Sequence, residues 1–304
     1  MPLDADQVIA RQRLQRRLNF WRVAAVLGVA GALLAVARPT GGGGFGRHIE
    51  RYRIAGLIGN GRDVAEDLAK LADDSSVAAV LLHLDTPGGA VTGGEGINAA
   101  VRALAAKKPV VAVMEGTAAS AGYMIAVATP HIVARESTLT GSIGVILETT
   151  NIGGLLDKVG ISMDPLVSGP LKGEPSMTKA LSPEGRVVLQ GVVTDLFDQF
   201  VTLVANGRHM DPARVRALAD GRVYTGRQAK QNGLVDEIGG DDEAQHWLEK
   251  SRGVAAGLPV TEPDKRPWAQ RLAANSVAEI VTTAMQSIRV DGAWSVWQPL
   301  ASRE

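Results

Sequence analysis

The stretch that decides the fold runs from Pro109 to Ala128, PVVAVMEGTAASAGYMIAVA. Pro109 to Met114 is an apolar, β-branched run of strand type, Gly116 to Ser120 consists of small residues, and Gly122 to Ala128 reads as an apolar helix. Ser120 therefore falls where a strand turns into a helix. A hydroxyl there lies beside the unpaired N–H groups of the helix start, which suits anion or oxyanion binding. It equally suits a plain N-cap, and this stretch alone leaves both readings open.

Outward from this centre the chain alternates between strand and helix. Tyr52 to Ile58 reads as a first strand, Val64, Leu68 and Leu71 recur at helical spacing, and Val77 to Leu84 is apolar enough for a strand buried on both faces. A second helix presents Ile97, Val101 and Leu104 before the strand at Pro109, so a parallel sheet with right-handed crossovers is expected. Ile132 to Ala134 and Ile143 to Leu147 read as shorter strands. Beyond Lys172 the texture becomes helical: Ser182-Pro183 and Asp211-Pro212 are start signals, and Thr225 to Asn232 is closed by Gly233.

Six segments carry a resemblance: DTPGG at 85–89, GTAASAGY at 116–123, LTGSIGV at 139–145, SGPLK at 168–172, GRVYTGRQA at 221–229 and GLVDEIGG at 233–240. In order and spacing they resemble the signal peptide peptidase A family of membrane-bound Ser/Lys proteases, over roughly Tyr52 to Trp247. One copy of the pattern is present, as in the short bacterial form of that family. The resemblance implies an α/β, ClpP/crotonase-like core of repeated β-β-α units with a C-terminal helical extension, preceded by an N-terminal membrane segment. It further implies Ser120 as nucleophile, Lys172 as general base, Gly89 N–H as an oxyanion donor with Ala121 N–H a second, and Ser142 as the residue orienting the lysine. A glycine is usual in the family where Ala121 stands, but a backbone amide donates in either case. Implied partners are remnant signal peptides or other hydrophobic peptides as substrates, and further copies of the chain in a ring whose active sites are shared between protomers. No metal or cofactor is implied.

The chemistry asked of these residues is specific. A serine hydroxyl needs a base, usually His. None of His48, His83, His131, His209 and His246 falls in a pattern that recommends it: His83 sits inside an apolar strand, and His131 reads as a surface residue. A lysine amine at its usual pKa of about 10.4 is protonated at neutral pH, and burial in an apolar site brings catalytic lysines to roughly 7–8. Most lysines are solvated surface residues, so Lys172 is singled out by the resemblance and not by its spacing. Ser142 beside Gly141 reads just as well as a turn serine. The glycine-rich GGAVTGGEG at 88–96 follows a strand and precedes a helix, but it lacks the strict GxGxxG order and a Walker lysine.

Composition narrows the classes further. Of 304 residues, 45% are hydrophobic, and a formal net charge of zero carries no overall nucleic-acid signature. With no cysteine, disulfides, thiolate metal sites and a Cys nucleophile are excluded. Arg11, Arg13, Arg16, Arg17 and Arg22 precede an uncharged run from Val23 to Ala37, which the positive-inside rule reads as a cytoplasmic tail before a membrane span; the resemblance implies that the membrane is the bacterial inner one. The run is shorter than the roughly 20 residues of a comfortable span, and a signal peptide cleaved after Ala35-Val36-Ala37 is a competing reading. The expected organisation is a basic tail at 1–22, a membrane anchor at 23–38, a Gly-rich linker at 39–50, a peptidase domain at 51–250 on the far side of the membrane, and an extension at 251–304 of no readable role. Two competitors to a peptidase stand: an inactive peptide-binding scaffold of the same fold, and an acyl-CoA enzyme of the crotonase type.

Overall fold

The computed structural model describes residues 46–262. The tail, the membrane segment, most of the linker and most of the C-terminal extension, including Trp268, Trp294 and Trp297, lie outside the described residues.

An eight-stranded sheet organises the domain, in the order β6-β5-β3-β2-β1-β8, with β4 and β7 branching from β3. The strands are β1 (His48–Ala55), β2 (Val77–Thr86), β3 (Val110–Ala119), β4 (Ile132–Ala134), β5 (Leu139–Gly141), β6 (Val223–Thr225), β7 (Glu237–Ile238) and β8 (Val260–Thr261). All pairings are parallel except β5 with β6. Helices α1 (Arg62–Asp73) and α2 (Val91–Lys107) form the expected crossovers between β1, β2 and β3. β2 is buried along nearly its whole length, which is why its sequence reads as a continuous apolar run without alternation.

The core has two layers. On one face of the sheet Leu82, Leu84, Ala112 and Met114 pack against Ile97, Val101 and Leu104 of α2 and Phe200, Val201 and Val204 of α5 (Pro183–Arg208). On the other, Leu81, Val111 and Val113 pack against Ala244 and Leu248 of α8 (Asp241–Arg252). Each fully buried Leu or Val contributes about 1.5–3 kcal/mol relative to exposure, so the two-sided cover of β2 and β3 carries much of the stability.

The helical caps arise from side chains legible in the sequence. Ser182 Oγ accepts the Gly185 N–H with Pro183 in the first turn of α5, and Asp211 Oδ1 accepts the Ala213 N–H at the start of α6 (Pro212–Leu218). α7 (Gly226–Asn232) opens with a Thr225/Gln228 capping box and closes at Gly233 in the left-handed region. The GLVDEIGG segment is a structural clasp: Asp236 accepts both terminal nitrogens of Arg208, at 2.7 and 2.5 Å, and also the Ile132 N–H.

Three expectations need correction. The first strand begins at His48, not Tyr52, and His48 and Glu50 are buried in the sheet, so the linker stops short of them. Thr261 Oγ1 donates to Glu50 Oε2, which ties β8 and β1 together within what read as the extension. The stretch Ile143 to Leu147 forms no strand: Leu139–Gly141 supplies that pairing, and past Ile143 the chain leaves the core, with Ile146 83% exposed.

β3 is longer than its apolar run and pairs differently along its length. Ala112–Met114 pair with β4, whereas Thr117–Ala119 pair with β5. Between Leu84↔Met114 and Thr86↔Ala118, β2 advances two residues while β3 advances four. A bulge therefore occupies Glu115 to Thr117, where β3 changes partners and heads toward Ser120.

Candidate active site

Ser120 stands at the end of β3 and at the start of α3 (Ala121–Ala126). Its backbone adopts φ 53°, ψ −121°, a conformation rare for a residue with a side chain. The Ser120 N–H donates to Gly141 O of β5 at 2.9 Å, and Ser120 O accepts the Met124 N–H. Its hydroxyl makes no capping bond, so the N-cap reading does not hold.

The DTPGG loop abuts this turn. A Cβ on Gly88 would meet Ser120 Cβ at 2.7 Å and Ala121 N at 3.1 Å, so only glycine allows the loop this close. Thr86, fully buried, accepts the Gly88 N–H on its Oγ1 at 3.0 Å, while its methyl packs on Gly122. Ile58 donates to Gly88 O and accepts from Ala90 N–H, which leaves the Gly89 N–H turned away from Ile58. Among the described residues neither the Gly89 nor the Ala121 N–H is committed to an acceptor. Two uncommitted amides thus lie in the glycine loop and at the helix start that meet at the Ser120 turn, donors of the kind an oxyanion needs.

Ser142 follows Gly141, the acceptor of the Ser120 amide; its own N–H donates to Arg222 O and its φ is 48°. The β5 pairing thus brings Ser142 into the vicinity of the serine turn, half-buried. Lys172 is different. It lies in a turn, its N–H bonded to Gly169 O, on the arm that connects β5 to α5 and includes the short helix α4 (Gly153–Lys158). Its side chain is exposed, and among the described residues it has no hydrogen-bond or ion-pair partner. Among the described residues nothing supplies the apolar burial expected of a lysine base. The arm itself is apolar on its outside, with Leu155 62%, Met163 60%, Leu166 97% and Met177 61% exposed.

Beside the serine helix lies a cavity of about 390 Å³ between α2, α3 and α5, with Val91, Met124, Leu196, Phe200 and Leu203 on its apolar walls and Glu95, Asp195 and Asp198 among its polar ones. Asn98, a polar residue on the apolar face of α2, donates to Met124 O at 2.5 Å and fixes α2 against α3. Gly88, Thr86 and Asn98 were not among the expected site residues. The glycine doublet was the available signal for the first, and an isolated Asn in an apolar helix face for the last. The histidines stay out of the site: His83 is held by Glu115 at 2.8 Å, and His131 is partly buried, not a surface residue, and stacks on Trp247 at 4.6 Å. Among the described residues no group of three or more His, Asp or Glu is placed to hold a metal ion.

This geometry has known counterparts. The family model for peptidase family S49 matches residues 102–255, and that for Clp protease matches residues 60–139. A protease-named protein of Synechocystis sp. is 39% identical over 220 residues, which cover 72% of this chain and 77% of that one. Protease 4 of Salmonella typhi is 43% identical over 172 residues, which cover 56% of this chain but only 28% of that longer protein. A solved variant of the membrane-bound stomatin-specific protease 1510-N superposes with a TM-score of 0.51 at 16% identity, covering 73% of this chain and all of that one, a likeness of fold alone. Sheet, serine turn and sequence kinship agree: the chain has the ClpP-like fold and belongs to peptidase family S49, the serine peptidases of the signal peptide peptidase A type.

Proposed function

We propose that the chain is a membrane-anchored endopeptidase in which Ser120 attacks the scissile carbonyl, Lys172 of a neighbouring protomer removes the serine proton, and the Gly89 and Ala121 amides receive the oxyanion. The observation that carries this reading is the conformation of Ser120: a non-glycine residue in a disfavoured backbone region, not capping its helix, at a turn whose adjoining loop and helix start carry uncommitted amides. Attack forms the acyl-enzyme, the lysine passes its proton to the leaving amine, and water then releases the acyl group through the same base. Ser142 is the candidate for orienting the incoming amine. The apolar walls of the neighbouring cavity suit a substrate side chain from a hydrophobic peptide, such as a remnant signal peptide.

The shared site is supported by the exposure of Lys172 and by the exposed apolar side chains Leu155, Met163, Leu166 and Met177 of its arm, of the kind that mark contact surfaces. Cyclic repetition of one interface would also bring every N-terminal anchor to one side, compatible with a single membrane. The test is complementation. Ser120→Ala and Lys172→Ala should each abolish peptidase activity, and mixing the two under conditions that exchange subunits should restore part of it. Demonstrated exchange with no recovery, or an active monomer, refutes the shared site; turnover by either folded variant alone refutes the pair.

A further inference from the structure

The bulge in β3 sits three residues before Ser120 and is gripped from several sides. Asp85, at the end of β2, accepts the Thr117 N–H on Oδ1 at 3.3 Å and lies against Gly116. Its Oδ2 accepts from Arg53 Nη2 at 3.1 Å, and the same nitrogen donates to Glu115 Oε2 at 2.7 Å. Glu115 Oε1 lies 2.8 Å from His83 Nδ1, while His83 Nε2 lies 3.0 Å from Asp241 Oδ1 but out of hydrogen-bond alignment. From the other edge, Thr138 Oγ1 donates to Glu115 O at 2.6 Å. The last residue of the bulge is thus tied directly to Asp85, where β2 leads into the DTPGG loop, and the first is tied to it through Arg53.

We propose that Asp85 and Glu115, bridged by Arg53, are positioning residues: they hold the extra residues of the β3 bulge and so set where Ser120 emerges relative to Gly88 and Gly89. The proposal rests on Ser120 being the nucleophile. Its physical basis is continuity. Asp85 is followed directly by Thr86, which caps Gly88, and the bulge is followed directly by Ala118 and Ala119, which pair with β5, and by Ser120, whose N–H donates to Gly141 O. One carboxylate therefore couples the two segments that must meet at the oxyanion. The Arg53, Asp85 and Glu115 side chains are 55%, 35% and 29% exposed, and ion pairs so placed add little to stability. Their placement in a solvent-facing cluster is better accounted for by geometry, since bulges beside active sites re-aim side chains and small misplacements of reacting groups are costly in rate.

The experiment uses the full chain in detergent, with a serine-directed phosphonate as probe and a peptide substrate for kcat and KM. Asp85→Ala is expected to slow labelling of Ser120 by roughly ten- to a hundredfold and to lower kcat in parallel, with KM and the melting temperature nearly unchanged. Asp85→Asn keeps an oxygen for the Thr117 N–H and is expected to retain most of the labelling rate. Arg53→Gln, altering a largely exposed side chain, is expected to fold and to label more slowly than wild type with unchanged KM, and it decides the matter should Asp85→Ala not fold. Labelling at the wild-type rate in folded Asp85→Ala or in Arg53→Gln, or equal slowing by Asp85→Asn and Asp85→Ala, overturns the proposal. Failure of the wild type to label at Ser120 instead overturns the nucleophile on which it rests, and that outcome is read on the wild type alone.

Discussion

The backbone of Ser120 makes a prediction about stability that concerns no contact of its side chain. At φ 53°, ψ −121° the residue lies outside the wells open to ordinary amino acids, and holding it there costs about 1–3 kcal/mol. Glycine adopts such a conformation without that strain, but frees the unfolded chain by about 0.5–1 kcal/mol. Ser120→Gly should therefore stabilise the protein by about 1 kcal/mol, the difference of those two ranges near their centres. Ser120→Ala retains the strain and should leave stability nearly unchanged. For a folded unit of this size 1 kcal/mol corresponds to about 2–4 °C in Tm. The assay is paired urea and thermal unfolding of wild type, Ser120→Ala and Ser120→Gly, all but the first inactive. A Ser120→Gly variant no more stable than Ser120→Ala would show that the turn is not strained, and would remove the main support for a pre-set nucleophile.

Two further outcomes follow from other parts of the chain. Burial works to raise the Asp236 carboxyl, but the hydrogen bonds and charge of Arg208 outweigh it and hold the group below the usual range. A depressed folded pKa contributes stability above the unfolded value and loses it as pH falls through the folded one, so Asp236→Asn should cost about 3 kcal/mol at pH 7. That difference should shrink as the pH drops below about 4, and a gap that persists undiminished at lower pH would disprove the ion-pair account. Reporter fusions after Gly43 and after Glu304 should both report the far side of the membrane; a cytoplasmic signal from either refutes the proposed topology.

Much of the sheet was legible because β2 and the first half of β3 are buried on both faces and three of the helices are capped by Ser182, Asp211 and Thr225, side chains whose role is local. The position of Ser120 at a strand-to-helix junction was legible for the same reason. Its backbone conformation was not, because that is imposed by Gly88 across the turn and by the pairing of β5. Polar and small residues between Glu115 and Thr117 read as the end of a strand, whereas β3 continues through them by changing neighbours, an event governed by tertiary pairing. Ile143 to Leu147 misled for a related reason: an apolar β-branched run signals burial, and here burial ends at Ile143 while the rest faces outward. The glycine doublet announced the loop and a lone Asn on an apolar helix face pointed to Asn98, but nothing local announced that Thr86 would anchor the loop.

The outward-facing arm has a consequence for the protein as a colloid. Its exposed Leu155, Met163, Leu166 and Met177 belong to a chain whose formal net charge is zero and whose pI is about 7.0. At neutral pH there is then no long-range repulsion to keep two molecules apart long enough for selective contacts to win over adhesive ones. Solutions buffered near pH 7 are the poorest in which to handle it, and a pH displaced from neutrality or an amphiphile that coats the arm supplies the barrier that its own charge does not.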